Sequence, residues 1–113
     1  LYVACQNGHS DTVKLLLERG AKPKINQVEV NGFTSLIAAC KNGHRETVKI
    51  LLQSGADVNQ SSNNCNGKTP LFYAYLEDHL EIIEMLLRSG ADVKETEELL
   101  VASDLINTTN LRR

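Results

Sequence analysis

The sequence predicts an all-α solenoid of stacked helix-turn-helix units, and three observations carry that reading. First, the chain repeats itself every 35 residues: Ala4–Ala21, Ala39–Ala56 and Ala74–Ala91 align without a gap. Second, apolar residues inside each block recur at i, i+3 and i+4, as Val48, Leu51 and Leu52 do, which puts them on one stripe of a helix. Third, glycines punctuate the blocks at equivalent places, Gly8 and Gly43 after the first run and Gly20, Gly55 and Gly90 after the second. A fixed period of about 20–50 residues marks an array in which each unit buries its apolar face only against its neighbours.

The middle block, Asn31 to Asn59, shows why each element forms. Asn31-Gly32 is a turn signal, since both residues tolerate positive φ. Thr34 is then placed to accept a backbone N–H as a helix N-cap. Its counterpart Thr69 is followed by Pro70, which suits the first helical position because its missing donor would be unpaired there anyway. A short first helix follows through Cys40 and Lys41, with Leu36 and Ala39 on one face and Gly43 as its stop. Ala4, Ala39 and Ala74 keep that face thin, so the next unit can approach closely. A second helix is expected from about Arg45 to Gln53. Its apolar stripe recurs as Val13, Leu16, Leu17 and as Ile83, Leu86, Leu87, while Arg45, Glu46 and Lys49 face water. Gly55 is its stop, in the place of a left-handed C′ residue.

Both ends read as incomplete. Leu1 aligns with Leu36, so the first unit lacks its turn and helix start, and the natural N-terminus is expected elsewhere. Leu99, Val101, Ala102 and Leu111 reproduce the positions of Leu36, Ala38, Ala39 and Val48. The expected units are therefore 1–30 (partial), 31–65 and 66–94, with 95–113 either a degenerate fourth unit or an independent capping helix.

Composition narrows the function classes. Hydrophobic content of 42% suits a folded chain. The formal charge of −2 gives no nucleic-acid signal. The charge is uneven, net +3 over residues 1–76 and net −7 over 77–104, which either steers a partner to one end or forms a solvated acidic surface. No apolar run approaches the roughly 18 residues of a membrane span. Three cysteines make an odd count. Cys5 and Cys40 are equivalent residues of neighbouring units, about 8–10 Å apart, beyond the reach of a disulfide. Free thiols in a cytoplasmic or nuclear setting are expected.

Chemistry is expected to be absent. His9, His44 and His79 recur one per unit, whereas ligands sharing one zinc each lie about 2 Å from it, so a structural place at the turn between helices is the better reading. Cys40 with His44, or Cys5 with His9, would need a base and an orienting group, and a pair built identically twice points to packing. No phosphate loop is present. No catalytic residue, metal, cofactor or small-molecule substrate is assigned.

The motifs TPLFYA (Thr69 to Ala74), TSLIAA (Thr34 to Ala39), Gly8-His9, Gly43-His44 and LLQSGADVN (Leu51 to Asn59) resemble the ankyrin repeat over residues 1–94. The resemblance implies a curved stack of helix pairs, with short β-hairpin fingers along one edge and a concave face that binds other proteins. On the family pattern, Gln6, Asn7, Lys41, Asn42, Leu76 and Glu77 follow the first helix's alanine pair or its equivalent, and Phe33 and Lys68 follow the finger glycines. These eight are the expected partner-binding residues, with Phe33 and Leu76 as apolar anchors. Asn59 lies in a stretch that looks like the target of an asparaginyl hydroxylase acting on ankyrin repeats. Its counterparts by the 35-residue period are Lys24 and Lys94, and its plain alternative is a loop Asn bonded to its own backbone. Family units usually run about 33 residues; the extra two are expected to lengthen the fingers, Ile25 to Asn31 and Ser61 to Asn66. Tyr2, Ile37 and Phe72 replace the family's TPLH histidine, and Asp78 stands where Gly8 and Gly43 stand. The expected function is a non-catalytic protein-binding module. The alternatives are a targeting or regulatory segment of a larger enzyme or ion channel, and a purely structural spacer.

Overall fold

A computed structural model of the chain describes residues 1–29, 31–62 and 68–94. These residues form six α-helices in three pairs: α1 (Tyr2–Gln6) with α2 (Ser10–Leu16), α3 (Ser35–Lys41) with α4 (Arg45–Gln53), and α5 (Pro70–Leu76) with α6 (Leu80–Arg88). The first helices stack α1 on α3 on α5, and the second helices stack α2 on α4 on α6, giving two layers.

The caps form as the sequence reading expects. Thr34 and Thr69 sit in extended backbone and accept from the amides of Ile37 and Phe72 at 3.2 and 3.4 Å. Each first helix then ends in one repeated motif. Gly8 N–H bonds to Cys5 O and His9 N–H to Ala4 O; Gly43, His44 and Asp78, His79 repeat both bonds. The motif needs a left-handed residue, and Gly8 and Gly43 supply it at φ 71° and 76°. Asp78 adopts φ 58° in the same seat, the one non-glycine at positive φ among the described residues.

The main core lies between the two helix layers. Ala39 and Ala74 are fully buried and Ala4 nearly so, with Val13, Val48 and Ile83 packed behind them. Leu36, Leu51, Leu71 and Leu86 are at most 1% exposed. Arg45, Glu46 and Lys49 face solvent. Thr47 is buried in the second layer, and its hydroxyl shares a 3.0 Å bond with Ser10 of the preceding unit.

The second and third units are each tied to the one before through a histidine. His44 Nε2 lies 2.8 Å from Gln6 O, and His79 Nε2 lies 3.1 Å from Lys41 O. A carbonyl only accepts, so Nε2 carries the proton in both rings. The rings lie against the preceding unit's turn glycine. A Cβ added at Gly8 would stand 2.5 Å from His44 Nδ1, and one at Gly43 would stand 2.8 Å from His79 Cε1.

Two expectations are corrected. The fingers contain no strand among the described residues. In the first, Gly32 N–H bonds to Glu29 O and Glu29 N–H to Phe33 O, but Phe33 N–H is taken by the Asn31 side chain. The reciprocal bond that would start a ladder is therefore missing. The base of the second finger is held by Ser62 N–H to Lys68 O at 3.0 Å; residues 63–67, including Cys65, lie outside the described residues, as does the expected fourth unit at 95–113.

The second correction concerns where the first unit keeps its two extra residues. Asn26 Oδ1 accepts from Asp57 N–H at 2.7 Å, and Asn59 Oδ1 accepts from Asp92 N–H at 2.8 Å. Asn59's structural counterpart is thus Asn26, not Lys24, and Ile25 is buried as Val58's counterpart. The extra residues precede Ile25, where the chain passes Gly20 and makes a 3-10 turn at Lys22–Lys24. The first finger is not lengthened.

Leu51 is fully buried at the centre of the second layer. Leu51→Ala is expected to cost about 2–5 kcal/mol in a denaturant titration; a loss under about 1 kcal/mol would mean that α4 is not core.

Candidate functional site

Six of the eight residues expected to bind a partner fall in one row. Gln6, Lys41 and Leu76 are the last residues of α1, α3 and α5, and Asn7, Asn42 and Glu77 are their C-caps. The stacking of the first helices sets the three pairs side by side. Gln6, Asn7, Asn42, Leu76 and Glu77 are exposed and Lys41 is half-buried. Part of the row is stitched together from within, since Asn42 Nδ2 donates to Gln6 O at 3.1 Å.

Phe33 and Lys68 sit at the other end of the first helices, one residue before the capping threonines. A seven-residue helix puts about 10 Å between the two rows. Phe33 is half-buried rather than free. Its ring meets Tyr73 edge-on at 5.3 Å, and Tyr73 meets Phe72 in the same way at 5.3 Å. With Ile37 and Tyr75 they form a second apolar cluster across the junction of the second and third units. The Tyr73 hydroxyl is 3.2 Å from Ser62 Oγ. Phe33 therefore belongs to the packing as well as to the surface, a double role its sequence position did not reveal.

Asn59 is exposed, yet both polar atoms of its amide are engaged: Oδ1 holds the Asp92 N–H and Nδ2 donates to Gly90 O at 3.3 Å. It links the second unit to the third, beyond the self-contained turn that Asn59 N–H makes with Asp57 Oδ1.

A groove of about 550 Å³ runs along the turns between first and second helices, across all three units. Its floor includes Gly8, Gly43, His44 and His79, and its third-unit end is formed by Asp78, Leu80 and Glu81. Leu80 is 69% exposed and Leu76 39%. Leu80 escaped the sequence reading, although a signal existed: it is the apolar member of a series whose other members are Ser10 and Arg45. Arg45 and Glu81 pair across the second and third units.

Cys5 and Cys40 are free and buried. Burial pushes the Cys5 thiol up to about 11, a bond with Ser35 offsetting part of the effect, and burial pushes Cys40 higher still. The thiolate is the nucleophilic form, and burial disfavours it at both sulfurs. Peptide mapping after native labelling with a thiol reagent at pH 8 is expected to leave both unmodified and to find both labelled in denaturant. Rapid native labelling of Cys40 would contradict the burial.

Comparison with known proteins fits this geometry. A family model for ankyrin repeats matches residues 1–97 in three copies. No curated protein matches the chain. No helix among the described residues is long and apolar enough to cross a membrane. Ankyrin repeats are generally protein–protein interaction modules and typically lack catalytic activity. Three in-phase helix pairs and a family model covering nearly the whole chain lead to one conclusion: this protein belongs to the ankyrin-repeat family.

Proposed function

We propose that the chain is a non-catalytic module that binds a partner protein on the concave face formed by its first helices and fingers. One observation carries this reading: the alanine and branched-aliphatic core positions are closely matched between units, while the exposed row at the first-helix ends differs. Ala4, Ala39 and Ala74 keep their identity because packing demands it, and His44 and His79 because each bonds to the preceding unit. Gln6, Lys41 and Leu76 differ at matched positions on adjacent helix ends, and Glu77 stands where Asn7 and Asn42 share an asparagine. A scaffold that holds its interior constant leaves such a row free to be shaped by a partner.

Leu76 supplies the exposed apolar contact, and Phe33, Lys41, Asn42 and Glu77 surround it along the two rows. Gln6, Asn7 and Lys68 extend the surface. Anchors of this kind at the centre of an interface typically cost about 2 kcal/mol or more when truncated, whereas rim charges cost little. Asn59 is proposed as a hydroxylation target on its motif alone, and peptide mass mapping of the purified chain reads that modification directly.

The test is affinity capture of the partner, mass-spectrometric identification and calorimetry with the purified pair. Leu76→Ala and Phe33→Ala are expected to weaken binding at least about tenfold, and Lys49→Ala to leave it unchanged. Thermal melts run in parallel separate binding from packing, which matters for Phe33 because its ring stacks on Tyr73. Damage from Lys49→Ala with silent apolar truncations would move the site to the second-helix side and end this assignment.

A further inference from the structure

One place where the third unit departs from the other two is the turn between α5 and α6. Where the first unit has Gln6, Gly8 and Ser10 and the second has Lys41, Gly43 and Arg45, the third has Leu76, Asp78 and Leu80. Two of the replacements are apolar and exposed, Leu80 at 69%. The third replaces glycine with a residue held at φ 58°. Asp takes left-handed backbone less comfortably than Gly, so the replacement carries some local strain. An observed outlier of this kind is a reason to look for function.

The same turn presents a seat that is filled on the other units. The Gln6 carbonyl accepts the His44 imidazole and the Lys41 carbonyl accepts that of His79. The equivalent carbonyl is that of Leu76, and among the described residues no donor reaches it. A flat ring can approach Gly8 and Gly43 because they lack a Cβ; Asp78 has one. A long cationic side chain can still reach the carbonyl from the edge. It would also meet the negative end of α5 and the carboxylates of Glu77 and Asp78. Both are exposed, and neither joins an ion pair among the described residues, whereas Glu81 and Glu84 are paired with Arg45 and Arg88.

We propose that the α5–α6 turn is a docking edge for a basic, apolar segment of a partner protein. A Lys or Arg head group sits at the Leu76 carbonyl between Glu77 and Asp78, and an apolar side chain lies on Leu80 at the end of the groove. This goes beyond the concave-face reading. Asp78 and Leu80 are outside that residue set, so failure here leaves the other proposal standing.

The probe is a fluorescein-labelled amphipathic peptide of leucine and lysine, titrated with the full chain and followed by anisotropy. Binding is expected, and it is expected to weaken as salt is raised through the physiological range. Leu80→Ser and Asp78→Gly should each weaken it about tenfold. Asp78→Gly should at the same time raise the denaturation midpoint, which separates lost binding from lost fold. Glu18→Gln, which removes an exposed charge from the first unit, should leave affinity unchanged, and a peptide with glutamate in place of lysine should not bind. The proposal is overturned if the leucine-lysine peptide does not bind, if Leu80→Ser and Asp78→Gly are silent, or if Glu18→Gln is as damaging as Asp78→Gly.

Discussion

An imidazole lying on a glycine and bonded to the carbonyl two residues before it is the contact on which this stack depends. Gly8 and Gly43 meet three demands at once. They take the left-handed φ that ends the first helix, they leave room for the ring, and they let the helix-end carbonyl face the next unit. The energy is elsewhere. A neutral hydrogen bond nets about 1 kcal/mol, whereas burying one Leu or Ile is worth about 1.5–3 kcal/mol, and Leu36, Leu51, Leu71, Ile82 and Leu86 are almost wholly buried. Burial holds the units together, and the histidine decides the register in which they are held. The thin alanine faces and the Thr47–Ser10 bond follow from that register.

The period made the fold legible, and local chemistry made the helix ends legible. Thr34, Thr69 and Pro70 announce their caps because capping depends on a few neighbouring residues. The partners of side chains that cross between units were not legible. A period shows that His9, His44 and His79 are equivalent; it does not show that the rings of His44 and His79 reach back to the preceding unit. Asn26 was missed for a related reason. Its register follows the bond to Asp57 rather than the count of residues, and the 3-10 turn at Lys22–Lys24 absorbs the difference. The finger failed as a strand because one Asn31 side chain outcompetes a backbone acceptor.

The candidate surface was legible in position but not in quality. The row from Gln6 to Glu77 lies where the motif positions put it, because those residues are helix ends and the helices stack in phase. Phe33 looked like a free apolar anchor, but its ring packs on Tyr73, a contact between residues 40 apart that no local pattern reveals. In the opposite direction, Leu80, whose counterparts are Ser10 and Arg45, is among the most exposed apolar side chains described. The third unit thus joins a well-buried interior, with Leu71, Ala74 and Leu86 fully buried, to a turn that carries exposed apolar residues.

The central claim is that the histidine ring and the preceding glycine act as one unit. A double-mutant cycle of Gly8→Ala and His44→Ala, read by denaturant titration, tests it most directly. The backbone penalty at Gly8 is present in both arms and cancels, leaving the contact between the added methyl and the ring. The expected result is a coupling of about 0.5–3 kcal/mol, with Gly8→Ala less damaging once His44 is gone. Additivity within about 0.5 kcal/mol would contradict the account and leave the histidines as bystanders at the turns.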